Sequence, residues 1–191
     1  MKPFKGYDKV KAYTESERLP IGGYVIKILG AEEIVNKWGS KLLITFDIVE
    51  GEYKDFYTKN YQAQKQEDKK WKGKYRMYIP KEDGSEKDEW TMRRFKTDIQ
   101  SIEDGNPGYH WDWNEEGLKG KIVGALFRNE EYDVDNRHGF STQCCAFTSI
   151  EAIRKKTYKI PKDKLLNKSN ENNASLDGFV PTDDIDDLPF N

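Results

Sequence analysis

The stretch from residue 19 to residue 51 leaves a chain of this kind little choice of fold. Leu19-Pro20-Ile21-Gly22-Gly23 reads as a turn. Tyr24-Val25-Ile26-Lys27-Ile28-Leu29, which follows, is rich in β-branched and aromatic residues. The strand is expected to continue past Gly30, where a bulge or strong coil is allowed, into Glu33-Ile34-Val35. Asn36-Lys37-Trp38-Gly39-Ser40 supplies the turn, residues 42–49 form the return strand, and Glu50-Gly51 ends it. A long antiparallel hairpin results, and the rest of the sheet has to be built on it.

Downstream, Phe56-Tyr57-Thr58 and Tyr75-Arg76-Met77-Tyr78-Ile79 have strand composition, with a polar, helix-permissive run over 62–70 between them. Pro80 and Asp83-Gly84 break the chain. Ser85 or Asp88 then caps a helix on which Phe95, Ile99 and Ile102 recur at helical spacing, ending near 104–108. Trp111-Asp112-Trp113 reads as a loop whose indoles close over the core. Strands over 121–127 and 140–147 flank a turn at 133–139, and 149–156 reads as a last short helix. This order predicts a mainly β fold: an OB-fold-like five-stranded barrel with a helix between strands three and four. An open β-sandwich and an unrelated α+β sheet share the same element order.

At 191 residues one domain with a tail is expected. The net charge of −2 conceals a split. From Leu166 onward six acids face one lysine, giving −5, whereas the body carries 31 basic against 28 acidic residues, giving +3. A mildly basic body with an acidic tail is the sign pattern of a nucleic-acid binder. The two cysteines, Cys144 and Cys145, are adjacent and on a strand would point to opposite faces, which disfavours a disulfide and fits a reducing compartment. Met1-Lys2-Pro3-Phe4-Lys5-Gly6 has no apolar signal region and no run approaches a membrane span, so the cytoplasm is the expected location.

The most informative internal stretch is Lys69-Lys70-Trp71-Lys72-Gly73-Lys74-Tyr75-Arg76-Met77-Tyr78, where five cations alternate with three aromatic rings. Single-stranded nucleic acid exposes phosphates and base faces together, so a sequence-tolerant binder needs both residue types side by side. Stacking contributes about 1–3 kcal/mol per base, and phosphate neutralisation adds salt-sensitive affinity. Tyr57, Lys59 and Tyr61 continue the pattern upstream. Trp38 with Lys41 marks a hairpin tip able to close over a strand, and Arg93 with Arg94 adds a basic patch on the helix. Candidate DNA contacts are thus Trp38, Lys41, Tyr57, Lys59, Tyr61, Lys70, Trp71, Lys72, Lys74, Tyr75, Arg76, Tyr78, Arg93 and Arg94. The bland alternative is a strand in which Tyr75 and Met77, or Trp71 and Tyr78, pack inward while the lysines are solvated.

Catalytic signals are poor. His110 and His138 are far apart in sequence and read as loop or turn residues, and no phosphate-binding glycine loop or nucleophile elbow is present. Asp47 with Glu52-Tyr53-Lys54 has the acid, acid-x-lysine spacing of metal-dependent nucleases, a spacing that also arises by chance. Asp133 and Asp135 fit a divalent ion or a hairpin turn equally well. No catalytic residue, cofactor or metal is expected.

Near the end, Asp183, Asp184, Ile185, Asp186, Asp187, Leu188, Pro189 and Phe190 set four carboxylates around one aliphatic residue, followed by an apolar knob. A solubilising tail has no use for Leu-Pro-Phe, so these residues read as a protein-docking tip. The stretch resembles the acidic tip of bacterial single-stranded DNA-binding proteins, which implies that the acids and the Phe190 ring contact a partner. In that family the aromatic residue is the last one, whereas here Asn191 follows and displaces the α-carboxylate. A second resemblance rests on Leu19-Pro20-Ile21-Gly22-Gly23-Tyr24, 42–48 and Gly51-Glu52-Tyr53-Lys54-Asp55. These are similar to small proteins of phages and mobile elements of Gram-positive bacteria, described as single-stranded DNA binding beside replication and recombination genes.

The expected organisation is therefore an OB-like nucleic-acid-binding domain over 1–165, with 1–19 as an N-terminal arm, a flexible linker over 166–182, and the docking tip over 183–191. The expected function is single-stranded DNA binding in phage or mobile-element replication or recombination, without enzymatic activity, with the tip recruiting proteins of those processes. A homodimer is compatible with this, since one small barrel holds few nucleotides. The alternatives are a protein-interaction adaptor that does not bind DNA and a metal-dependent nuclease.

Overall fold

In the computed structural model of the chain, residues 18–37, 39–134 and 136–166 are described. Residues 1–17 of the N-terminal arm, Trp38, Asp135, and the linker and tip from residue 167 onward lie outside them. Five antiparallel strands form one open sheet in the order β3-β2-β1-β4-β5: β1 (Gly22–Asn36), β2 (Gly39–Ile48), β3 (Lys74–Tyr78), β4 (Ile122–Val134) and β5 (Arg137–Thr148). Three helices accompany it: α1 (Phe56–Ala63), α2 (Glu86–Gly105) and α3 (Ile150–Lys155), together with a 3-10 turn at Glu115–Leu118. No helix among the described residues is long and apolar enough to cross a membrane.

The founding hairpin forms as its sequence dictates. β1 pairs with β2 from Ile26↔Ile48 to Asn36↔Gly39, and the register slips between Ile28 and Gly30. β1 pairs with β4 from Gly22↔Phe127 to Lys27↔Ile122 on its other side, and β3 pairs with the far side of β2. Ile26, Ile28, Ile44, Phe46, Ile48, Val123, Phe127 and Phe147 fill the main core. Phe127 meets Phe46 and Tyr24 edge-on, at centroid distances of 5.9 and 5.3 Å. Outside the sheet, Ile150 and Ile153 of α3 cover Val25, Leu126 and Ala146. Gly23 permits this approach, because a Cβ there would lie 2.5 Å from the Ile153 side chain.

α2 starts where Ser85 accepts the N–H of Asp88 and stops where the Asn106 amide bonds Ile102 O and both backbone groups of Ile122. Trp111 packs on the core beside Phe95, but Trp113 is 80% exposed, so only one of the two indoles closes over the interior. β4 and β5 run almost through the region read as a wide turn, and their ribbon extends beyond the end of β1. A register shift at Leu126/Phe127 absorbs Cys145. Its thiol donates to Leu126 O, and burial pushes it up to about 11; Cys144 faces the core, and burial raises its thiol too.

Phe56-Tyr57-Thr58 is helical, not extended. The buried Asp47 carboxylate on β2 explains this: it accepts the N–H groups of Ile48, Tyr57 and Thr58 and the Thr58 hydroxyl. It satisfies the first turn of α1, whose own N-cap residue, Asp55, makes no side-chain cap bond. The polar run beyond stays helical only to Ala63.

The sheet is not closed into a barrel, and β3 and β5 are its two edges. They still face each other, with the rings of Tyr75 and Phe147 4.5 Å apart. Side chains of α2 take the place of a ladder. Asp98, 0% exposed, accepts the Phe147 N–H at 3.1 Å and the Tyr75 hydroxyl at 2.6 Å. Arg94 donates to Cys145 O at 2.8 Å and pairs with Asp98 at 3.4 Å. Burial pushes the Asp98 carboxyl up, while Arg94, Tyr75 and the Phe147 N–H oppose that rise. The edge of β5 is thus covered by a helix rather than left open.

Burial also holds the hydroxyls of Tyr24, Tyr57 and Tyr75 above the ordinary tyrosine value of 10.0, Tyr24 at about 12. Above pH 10 the unfolded chain releases these protons and the folded chain retains them, so stability present below that pH is lost as pH rises through about 12. An alkaline titration should therefore show part of the phenolate absorbance appearing together with loss of far-ultraviolet circular dichroism. Ionisation of all 11 tyrosines with the dichroism intact would contradict this packing.

Candidate nucleic-acid interface

Strand register decides which of the candidate residues share a face. On β3, Tyr75 and Met77 are buried while Lys74, Arg76 and Tyr78 point away from the core. Pairing with β2 sets Lys41 beside Tyr78, Leu43 beside Arg76 and Thr45 beside Lys74. The corresponding positions on β1 are Ile34, Glu32 and Gly30. The outer face is thus a three-by-three grid, cationic and aromatic along β3, mixed along β2 and apolar or acidic along β1. Tyr78 is 40% exposed. Burial raises its hydroxyl, Arg76 opposes the shift and Glu130 of β4 adds to it.

A second aromatic group borders the Lys74 end. Trp71 is half-buried against the core and donates its Nε1–H to Phe46 O and Gly73 O, each at 3.1 Å. Gly73 is needed for this fit, since a Cβ would come within 2.3 Å of Phe46 O. Tyr61, on the last turn of α1, lies 5.8 Å from Trp71 with its ring 38% exposed, and Lys69 Nζ stands 5.7 Å over it. The loop that carries Lys69 is pinned by Gln64, whose amide bonds both the N–H and the C=O of Lys70. Lys72 is exposed.

Several predicted contacts are placed elsewhere. Tyr57 and Tyr75 are core residues, each 6% exposed, and offer no ring face to a base. Arg94 is committed to the seam through Asp98 and Cys145 O. Lys59 donates to Lys54 O, Lys70 pairs with Asp68 at 3.3 Å, and Arg93 pairs with Glu89 at 3.6 Å on the outside of α2. Trp38 and the tip residues 183–190 lie outside the described residues. Register thus sets Lys41, Lys74, Arg76 and Tyr78 on one face, while Tyr61 and Trp71 pair with each other beside Gly73. Sequence reasoning passed over Leu43, Thr45, Ile34 and Glu32, although the two-residue period of the hairpin would have placed them on the same face.

Of the nuclease-like spacing, Asp47 is buried and committed to the start of α1. All four bonds to the Asp47 carboxylate come from protein donors, and among the described residues no group of three or more His, Cys, Asp or Glu is placed to hold a metal ion. His110 is exposed and stands 3.9 Å from Glu103, whereas His138 lies on β5, not in a turn, 2.6 Å from Glu131. No protein-family model matches the chain, and no curated protein matches it.

Proposed function

We propose that the protein binds single-stranded DNA on the outer face of β2 and β3, without catalysis, in phage or mobile-element replication or recombination. The observation that carries this reading is the register-fixed row Lys74, Arg76 and Tyr78, with Lys41 beside it and the Tyr61–Trp71 pair at its lower end. Guanidinium and ammonium groups neutralise phosphates there, while Tyr78 and Tyr61 expose rings on which unpaired bases stack. The strand order and the position of α2 between β3 and β4 support reading the sheet as an OB-type barrel whose last seam is held by side chains. On this reading the acidic tip (183–191) recruits replication or recombination proteins.

Titration of labelled oligothymidine and of a matching duplex, at two salt concentrations without divalent metal, tests the proposal. Salt-sensitive preference for the single strand is expected. No binding at micromolar protein would leave a protein-interaction adaptor as the better account.

A further inference from the structure

The grid on the outer face is asymmetric, and the asymmetry has a direction. Crossing its middle row from β3 to β1, the residues are Arg76, Leu43 and Glu32. The rows on either side run from Tyr78 through Lys41 to Ile34 and from Lys74 through Thr45 to Gly30. Every cation stands on β2 or β3, and the one carboxylate stands on β1. Glu32 is exposed and makes no ion pair among the described residues.

Adjacent strands lie about 4.8 Å apart, so Glu32 is roughly 5 Å from the line of Leu43 and roughly 10 Å from that of Arg76. The second distance is about one Debye length at 0.1 M salt, the first about half of one. A phosphate over Arg76 is therefore largely screened from Glu32, whereas a phosphate over Leu43 or β1 is not. We infer that Glu32 sets the lateral boundary of the interface, confining a polyanionic strand to run lengthwise along β3 instead of crossing the sheet onto β1. This rests on the DNA-binding reading above and adds to it the path of the ligand and the residue that limits it.

The neighbouring residue provides the control. Glu33 is also exposed but pairs with Leu42, whose side chain enters the core, so it belongs to the opposite face of β1. Glu32→Lys and Glu33→Lys change the net charge of the full chain equally. With oligothymidine, Glu32→Lys is expected to bind roughly five- to twentyfold more tightly at about 0.1 M salt, where the screening length separates the two strand lines, with a log–log salt slope steeper by about 0.7 for each phosphate gained. Glu32→Gln should show part of the gain, and Glu33→Lys should stay within about twofold of the parent. Thermal melts of all three verify that they are folded. Equal gains from the two lysine variants, or no gain at Glu32 while the parent protein binds, would overturn the boundary. Absence of binding by the parent protein would instead remove the interface itself and the boundary with it.

Discussion

Asp98→Ala is expected to lower stability by about 3–5 kcal/mol, a large part of what a domain of this size possesses. The substitution leaves the half-buried Arg94 guanidinium without its counter-charge and strips partners from the Tyr75 hydroxyl and the Phe147 N–H. Urea denaturation of the purified variant measures the effect. A buried ion pair can often be exchanged for apolar residues at little cost, and that provides a discriminating second variant. The pair Arg94→Met with Asp98→Leu removes both charges, yet it still deprives Cys145 O and Phe147 N–H of their partners. If sealing the sheet edge is the role of these residues, the double variant stays destabilised. Recovery of parental stability would show that they form only an ion pair.

Arg76→Ala combined with Tyr78→Ala should reduce affinity for single-stranded DNA by roughly ten- to several-hundredfold at low salt and flatten the salt dependence by about 0.7. Both side chains lie on the outward face of β3, and a thermal melt verifies that the variant is folded. Tyr75→Ala would be a poor probe of binding, although Tyr75 is as aromatic and as close to the cations as Tyr78. It removes a ring that packs on Phe147 and a hydroxyl that bonds Asp98, and loss of binding there would report unfolding. If the Arg76/Tyr78 variant binds like the parent protein while remaining folded, the outer face is not the interface.

The contrast between Tyr75 and Tyr78 shows how much of the site was legible. The alternation Lys74-Tyr75-Arg76-Met77-Tyr78 contains the correct partition, with one set in and the other out. Sequence alone does not say whether Trp71 joins the strand or Tyr78 turns inward, because that depends on which face β2 presents to β3. The hairpin, the irregularity near Gly30, a helix cap at Ser85 or Asp88 and the end of α2 near Asn106 were readable because each is marked by a turn, break or cap residue in its own stretch of sequence. The helical state of Phe56-Tyr57-Thr58 was not, because its cap comes from Asp47, about ten residues upstream on another element. The unclosed seam was hidden for the same reason: Arg94 and Asp98 read as surface charges on a helix until β3 and β5 are seen on either side of them.

The borrowed cap of α1 also bears on the order of assembly. An isolated segment of eight residues, with its first amides unsatisfied, pays the full cost of nucleation and gains little from propagation. α1 should therefore be a late element of folding, ordered only after β2 has brought the Asp47 carboxylate into place. Because Tyr61 rides on that helix, the aromatic group beside Lys74 is assembled by the hairpin rather than by its own local sequence. Slow or partial docking of the helix would then cost the protein one end of its outer face before the rest of the sheet is disturbed.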